Sequence, residues 1–187
     1  MSWPVVVGIT GASGAAFGVK VLELLGAAGR ETWLVVTRAG EQVLDLEVEG
    51  GARAAAERAS RCFPVDDLAA PIASGSVRTA GMIVAPCTVR TLSAVADCRS
   101  SNLLERAADV TLKERRPLVL VVRETPLHTG HIRAMLRASE AGAIIMPPVP
   151  AFYTAPKSVD DLVTQTAARS LALLGIDHAA MKSWGTP

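Results

Sequence analysis

VVVGITGASGAAFG, residues 5–18, carries the clearest architectural signal in the chain. Residues 5–10 form a near-continuous run of Val, Ile and Gly, the pattern of a strand buried on both faces of a parallel sheet. A helical pattern follows at once, with Phe17, Val21, Leu24, Leu25 and Ala28 on one face. Between the two lies Gly11-Ala12-Ser13-Gly14. Small residues there let a ligand touch the backbone, and the first turn of the new helix points unpaired N–H groups at whatever arrives. An anion fits, and Ser13 adds a hydroxyl at the mouth. The same residues also suit an ordinary strand-to-helix turn with Ser13 as its N-cap.

Outward from this unit, strand-like and helix-like stretches alternate. Residues 31–37, 81–85, 117–122 and 143–146 read as strands, the second of these stopped by Pro86. Helices are expected over 38–46, within 50–61 after two leading glycines, over 88–96 with Leu92 and Val95 inward, and over 103–115 with Leu104, Ala107, Ala108 and Thr111 on one face. A further helix over 132–140 groups Ile132, Met135 and Leu136. The last helix is capped by Ser158, lined by Val159, Leu162, Val163 and Thr166, and ended by Gly175. Residues 63–78, with Pro64, Pro71 and Gly75, are expected to be irregular with one short strand. Repeated strand–helix units with apolar strands argue for a parallel sheet covered on both faces, in which ligands bind beyond the carboxyl ends of the strands.

With 187 residues the chain suits one domain with its own core, and half of it is hydrophobic while only 4% is aromatic, so that core is aliphatic. A net charge of +1 gives no electrostatic case for nucleic acid or an acidic membrane. Three cysteines, an odd number, fit a reducing compartment better than a disulfide framework. No basic-then-apolar leader precedes Val5, and no apolar run nears the ~18 residues of a membrane helix. A cytoplasmic protein is expected.

The residues with chemistry sit at the predicted strand ends. Pro86-Cys87-Thr88-Val89-Arg90-Thr91 is a second strand-to-helix turn, with two hydroxyls and a cation that can wrap a phosphate. Arg123 and Glu124 directly follow the plainest strand, where charges are costly unless paired or bound, and a carboxyl in a crevice can handle protons. Arg106 and Lys113 lie two turns apart on one helix; a solvated helix end accounts for Lys113 equally well. Glu47 is one carboxylate in an acidic loop, and Arg169 a cation on the last helix. Tyr153, the only tyrosine, follows a proline-stiffened loop and can donate to a phosphate oxygen. No zinc-ligand spacing surrounds His128 and His131, Asp66-Asp67 and Asp160-Asp161 are too isolated to hold magnesium on a diphosphate, and no Ser–His–Asp set is suggested. No metal is expected.

Five motifs carry a resemblance: TGASGA at 10–15, ASGS at 73–76, APCTVRTLSAVA at 85–96, NLLERAADVTLKERRPLVLVVRETPLHTGHIRAML at 102–136, and GAIIMPPVPAFY at 142–153. Across nearly the whole chain the sequence resembles the flavin prenyltransferases of the UbiX type, a family that includes the small companion proteins found with hydroxyarylic acid decarboxylases. The resemblance implies a single α/β domain over residues 1–187, a flavodoxin-like, Rossmann-type three-layer sandwich with a mainly parallel sheet that binds FMN. It implies a dodecamer with sites at subunit interfaces. The implied reaction joins a dimethylallyl group, from dimethylallyl phosphate or in some members the diphosphate, to N5 and C6 of reduced FMN without a metal. The product, prenylated FMN, goes to a UbiD-type decarboxylase. By position, Gly11, Ala12, Ser13, Thr37, Thr88, Val89, Arg90, Thr91 and Arg123 would hold FMN. Tyr153 and Arg169 would hold the prenyl phosphate, with Lys113 and Arg106 completing the anion site, while Glu124, Glu47 and Ser13 assist proton movements. Leu68, Val77 and Thr154 depart from the family's pattern near the expected prenyl pocket.

Two other readings stand beside this one. A related flavoprotein group decarboxylates cysteine-type substrates, but uses an early histidine and an Asn at the strand-end turn; here the histidines are His128, His131 and His178, and residues 86–91 lack Asn. The other alternative is a non-catalytic FMN-binding subunit of a decarboxylase.

Overall fold

The structure, a computed structural model, describes residues 3–185. Among these residues six strands form one sheet: β1 (Val5–Ile9), β2 (Thr32–Val36), β3 (Arg61–Phe63), β4 (Gly81–Cys87), β5 (Leu118–Val122) and β6 (Ile144–Ile145). All pairs are parallel, in the order β3-β2-β1-β4-β5-β6. The chain winds one way from β1 to β3, then returns to the other side of β1 with β4. Val5 is thereby in register with Thr32 on one side and Gly81 on the other. The flavodoxin-like α/β fold with a parallel sheet expected from the sequence is what forms, and its winding is double.

Among the described residues seven α-helices cover it: α1 (Ala15–Ala27), α2 (Arg38–Glu47), α3 (Gly51–Glu57), α4 (Val89–Ala96), α5 (Leu103–Lys113), α6 (Thr129–Glu140) and α7 (Val159–Ala172). Strand residues alternate between two cores, as a period of two requires. Val5, Val7, Ile9 and Ile83 meet Leu22 and Leu25 of α1 and Leu171 of α7. Val6, Met82, Val84 and Leu120 meet Leu92 of α4 and Leu104 and Ala108 of α5.

Several elements differ from expectation. Pro86 does not stop its strand: β4 runs on to Cys87, with a register shift against β5 between Val84 and Cys87 and a cis Ala85–Pro86 bond. The shift removes the need for a ladder N–H at proline, and the Pro86 carbonyl still accepts from Thr10. The short strand of the irregular region lies earlier, as β3, ending at the residue before Pro64. α6 begins at Thr129, three residues before its apolar pattern, because the His128 ring accepts from Gly130 N. It packs inward through Ala134 and Ala138, leaving Ile132 and Leu136 exposed, and Val159 of α7 is likewise 76% exposed. Mostly small residues face inward in both helices, so several of the larger ones face out.

Glycine marks one contact that fixes α1. A Cβ on Gly18 would collide with the Ala85 carbonyl oxygen and the Ile9 side chain, so α1 lies against β4 only because position 18 has none. Gly26, in the same helix, has nothing within 4 Å of a built Cβ. Gly18→Ala is expected to destabilise the protein by about 2 kcal/mol through overpacking. Gly26→Ala should stabilise it by about 0.5 kcal/mol through helix propensity. Denaturant unfolding of the two variants checks the pair; a Gly18→Ala protein as stable as the parent would show that α1 has room to move.

Candidate functional site

Parallel strands bring all their carboxyl ends to one edge, and the winding reverses between β1 and β4. There the segments after β1, β2 and β4 part around a cleft of about 380 Å³ lined by Thr10, Gly11, Thr37, Thr88, Arg90 and Thr91 among others. Thr10 stitches its floor: the hydroxyl donates to Pro86 O at 2.7 Å and accepts from Thr88 N at 2.9 Å. Thr37 caps α2 by accepting from Gly40 N, and Thr88 caps α4 by accepting from Thr91 N. Each cap satisfies one first-turn amide; helical geometry leaves the others of that turn open. A side chain on Gly11 would strike Ala39, so glycine is what lets the β1–α1 turn close against the start of α2. Cys87, beneath the cleft, is fully buried; burial pushes its thiol up to about 12, so it stays neutral and is no nucleophile.

Sequence reasoning missed part of this lining. Asn102 and Glu105 of the α5 start also face the cleft. Asn102 accepts from Glu105 N, and the buried Glu105 carboxylate accepts from Ser101 N and Oγ. The Asn-x-x-Glu spacing of a helix cap was the available signal. Arg38 and Asp66, paired at 2.9 Å, sit at the rim; nothing local in the sequence joins them. Ala12 and Val89, both expected at the ligand, belong to the two turns without lining the cleft.

The α1 terminus departs from expectation. It does not await a ligand anion, because the chain supplies one. The Glu47 carboxylate, at the end of α2, accepts from Gly14 N at 2.7 Å and Ala15 N at 3.0 Å, and from the Ser13 hydroxyl. Gly14, at φ 102°, is the N-cap residue, and Ser13 is not. Arg123, arriving from β5, adds its charge to the group. Burial pushes the Glu47 carboxyl up, but the Ser13 hydroxyl, the two amides and Arg123 outweigh it and hold the group below its usual 4.5. Ser13 and Glu47, far apart in sequence, thus act together at this helix start, and the Arg123 charge favours the ionised carboxylate.

Arg123 and Glu124 line a second hollow, about 280 Å³, walled by residues 147–150. Its wall is proline and valine, and the Glu124 carboxylate accepts from Thr125 N at 3.0 Å. Tyr153, in the 3-10 turn Phe152–Thr154, is half-exposed; its hydroxyl lies 3.4 Å from Lys182 O and its ring stands edge-on to Trp184. Arg169 is exposed on α7.

Lys113 and Arg106 do not line this cleft. α5 starts beside it, and its eleven residues carry the chain about 16 Å towards the opposite edge of the sheet. Lys113 pairs with Glu114 beside Gly75, while Arg106 donates to Ala73 O and pairs with Asp109. Among the described residues no group of three or more His, Cys, Asp and Glu is arranged to hold a metal, and no helix is long and apolar enough to cross a membrane.

Two open helix starts, threonine hydroxyls and Arg90 converging at a switch point define the class: a protein that binds a phosphorylated, nucleotide-type cofactor. The Flavoprotein family model matches residues 2–171. The flavin prenyltransferase UbiX of Escherichia coli (strain K12) is 52% identical over 167 residues, covering 89% of this chain and 88% of that protein. AnUbiX (PadA1), solved in complex with FMN and dimethylallyl pyrophosphate, superposes with a TM-score of 0.97 at 42% identity over all of both chains. A dodecameric FMN-dependent UbiX-like decarboxylase from Escherichia coli O157:H7 superposes at 0.94 with 43% identity, over 98% of this chain and 100% of the other. The chain belongs to the UbiX flavin prenyltransferase family of the flavoproteins.

The Glu47 cluster predicts a pH dependence. A carboxyl whose folded value lies below 4.5 contributes its full stability above that pH and loses it as pH falls through the folded value. Glu47→Ala should cost about 1 kcal/mol at pH 7, as the loss of a helix cap does. The difference from the parent should shrink below about pH 4. Urea unfolding at both pH values measures this; a gap that persists undiminished in acid would mean the carboxylate's charge contributes nothing.

Proposed function

We propose that the chain transfers a dimethylallyl group from dimethylallyl phosphate to N5 and C6 of reduced FMN, yielding prenylated FMN for a UbiD-type decarboxylase. The observation that carries this reading is the threonine-lined cleft between two helix starts that keep first-turn amides open, in a chain of this family. The chain works as a single flavin-binding domain over residues 1–187, in the cytoplasm and as a dodecamer.

The donor set fits FMN. Open amides at the α2 and α4 starts, with Thr37, Thr88, Thr91 and Arg90, suit its phosphate, and Gly11 lines the same cleft. Ala12, Ser13 and Val89, in the turns that frame it, and Arg123, at the end of β5, are assigned to FMN by their positions in the family's motifs. Bound there in reduced form, the flavin supplies the two ring positions to which carbon bonds form. The protein's part is electrostatic and protonic. Breaking the allylic C–O bond leaves its electron pair on the phosphate, which Lys113, Arg106, Arg169 and Tyr153 stabilise as cations and donor. The apolar wall at residues 147–150 keeps water from the allylic carbon. Glu47, held ionised, fixes the Ser13 hydroxyl, and Glu124 beside the same wall takes the proton released at N5.

Lys113 and Arg106 pair within their own chain away from its cleft. Their place in the reaction is therefore in the site of a neighbouring copy, which makes assembly a condition of activity.

Anaerobic incubation with reduced FMN and dimethylallyl phosphate should raise the flavin mass by one prenyl unit; a flavin that binds but never gains mass would leave only the carrier role. Lys113→Ala and Glu124→Gln should each slow adduct formation at least about a hundredfold with FMN affinity retained. Co-expressed, the two variants should regain up to about a quarter of parental activity, the share of sites that draw both native residues from different copies. No recovery in mixed oligomers would place Lys113 and Glu124 of one chain in the same site.

A further inference from the structure

α7 carries a polar side chain on its buried face. Gln165 is only 8% exposed, in a stripe that includes Val163, Ala167, Ala168 and Leu171. A buried amide is costly unless both its ends are bonded. Here one residue's backbone satisfies both: Gln165 Nε2 donates to Lys182 O at 2.9 Å, and Lys182 N donates to Gln165 Oε1 at 3.0 Å. The amide thus pairs with the C-terminal segment as one strand pairs with the next.

What this clamp holds is a wall around Tyr153. The same Lys182 carbonyl lies 3.4 Å from the Tyr153 hydroxyl, and the Lys182 ammonium reaches Thr154 O at 3.4 Å. Two residues further on, Trp184 meets the Tyr153 ring edge-on, with centroids 5.3 Å apart. Upstream, the His178 ring accepts from Ala180 N and turns the segment back towards α7. The 3.4 Å bond from Tyr153 is long for an O–H···O contact. A phosphate oxygen would be a stronger acceptor, so the hydroxyl is positioned yet free to change partners. One helical turn beyond Gln165 on α7 stands Arg169.

We propose that Gln165 is a positioning residue of the prenyl-phosphate site, holding the segment 182–184 so that Tyr153 is presented to the donor beside Arg169. This rests on the reading of Tyr153 and Arg169 as donor ligands given above. Gln165 itself touches neither the flavin nor the donor.

The test uses the full chain loaded with oxidised FMN, whose electron-poor ring is no nucleophile towards the donor, and two variants that break the clamp from opposite sides. Gln165→Leu removes the amide and keeps the volume. Lys182→Pro removes the N–H and leaves the α7 core untouched. In both, deuterium uptake in the peptide 178–185 should accelerate about tenfold and the Kd of dimethylallyl phosphate, by calorimetry, should rise about tenfold, the scale of two lost hydrogen bonds. The Kd of FMN should not change, and Gln165→Glu, which retains the acceptor for Lys182 N, should fall between parent and Leu. Faster exchange with unchanged donor affinity would reduce the clamp to a structural tie and overturn the proposal, as would unchanged exchange in both variants. A parent that binds FMN but no dimethylallyl phosphate would instead overturn the functional reading on which it stands.

Discussion

The Thr10 hydroxyl is the joint of this molecule. It donates to the Pro86 carbonyl and accepts from the Thr88 amide, in the floor of the place where the two central strands diverge. A parallel sheet opens a crevice where its winding reverses, and the crevice is useful only if the diverging ends are fixed relative to one another. One buried side chain does that, tying the end of β1 to both sides of the bulged end of β4 and giving the Thr88 amide an acceptor outside the ladder. The α4 cap and the Arg90 position follow directly from the Thr88 end of this contact.

The electrostatics of the site then divide between two kinds of helix terminus. At α1 the positive end is neutralised from within the chain, by Glu47. At α2 and α4 threonines satisfy one amide each and leave the rest open. The anion-binding capacity of the edge is therefore directed to the α2 and α4 starts, while the α1 start holds the ionised Glu47, which the Arg123 charge also favours.

Much of this is readable in the amino-acid sequence, for reasons particular to each element. The apolar runs at β1, β4 and β5 have no competing interpretation as amphipathic helices, and the Ser158 cap and Gly175 stop bracket α7 by backbone chemistry alone. What is not readable depends on contacts between distant residues. Nothing local announces that Glu47 meets Gly14, or that Pro86 sits inside a central strand. Apolarity alone misassigns Val159 to the inner face of α7, and the grouping of Ile132 with Leu136 marks an exposed side of α6, because the inward faces of these helices carry alanines that allow close packing. Lys113 and Arg106 fall on one helix as their spacing requires, but the direction of that helix, from the cleft to the opposite edge, is a property of the crossover and not of the motif. Gln165 gives no signal at all, being an ordinary surface residue type until its partner peptide is seen.

The Arg38–Asp66 pair spans the rim of the cleft with both side chains well over half exposed. An ion pair so open to water is worth little and is screened by ordinary salt. The entrance is thus a latch rather than a lock: parting the two side chains costs almost nothing, and it leaves a guanidinium at the rim of the cleft with its donors free.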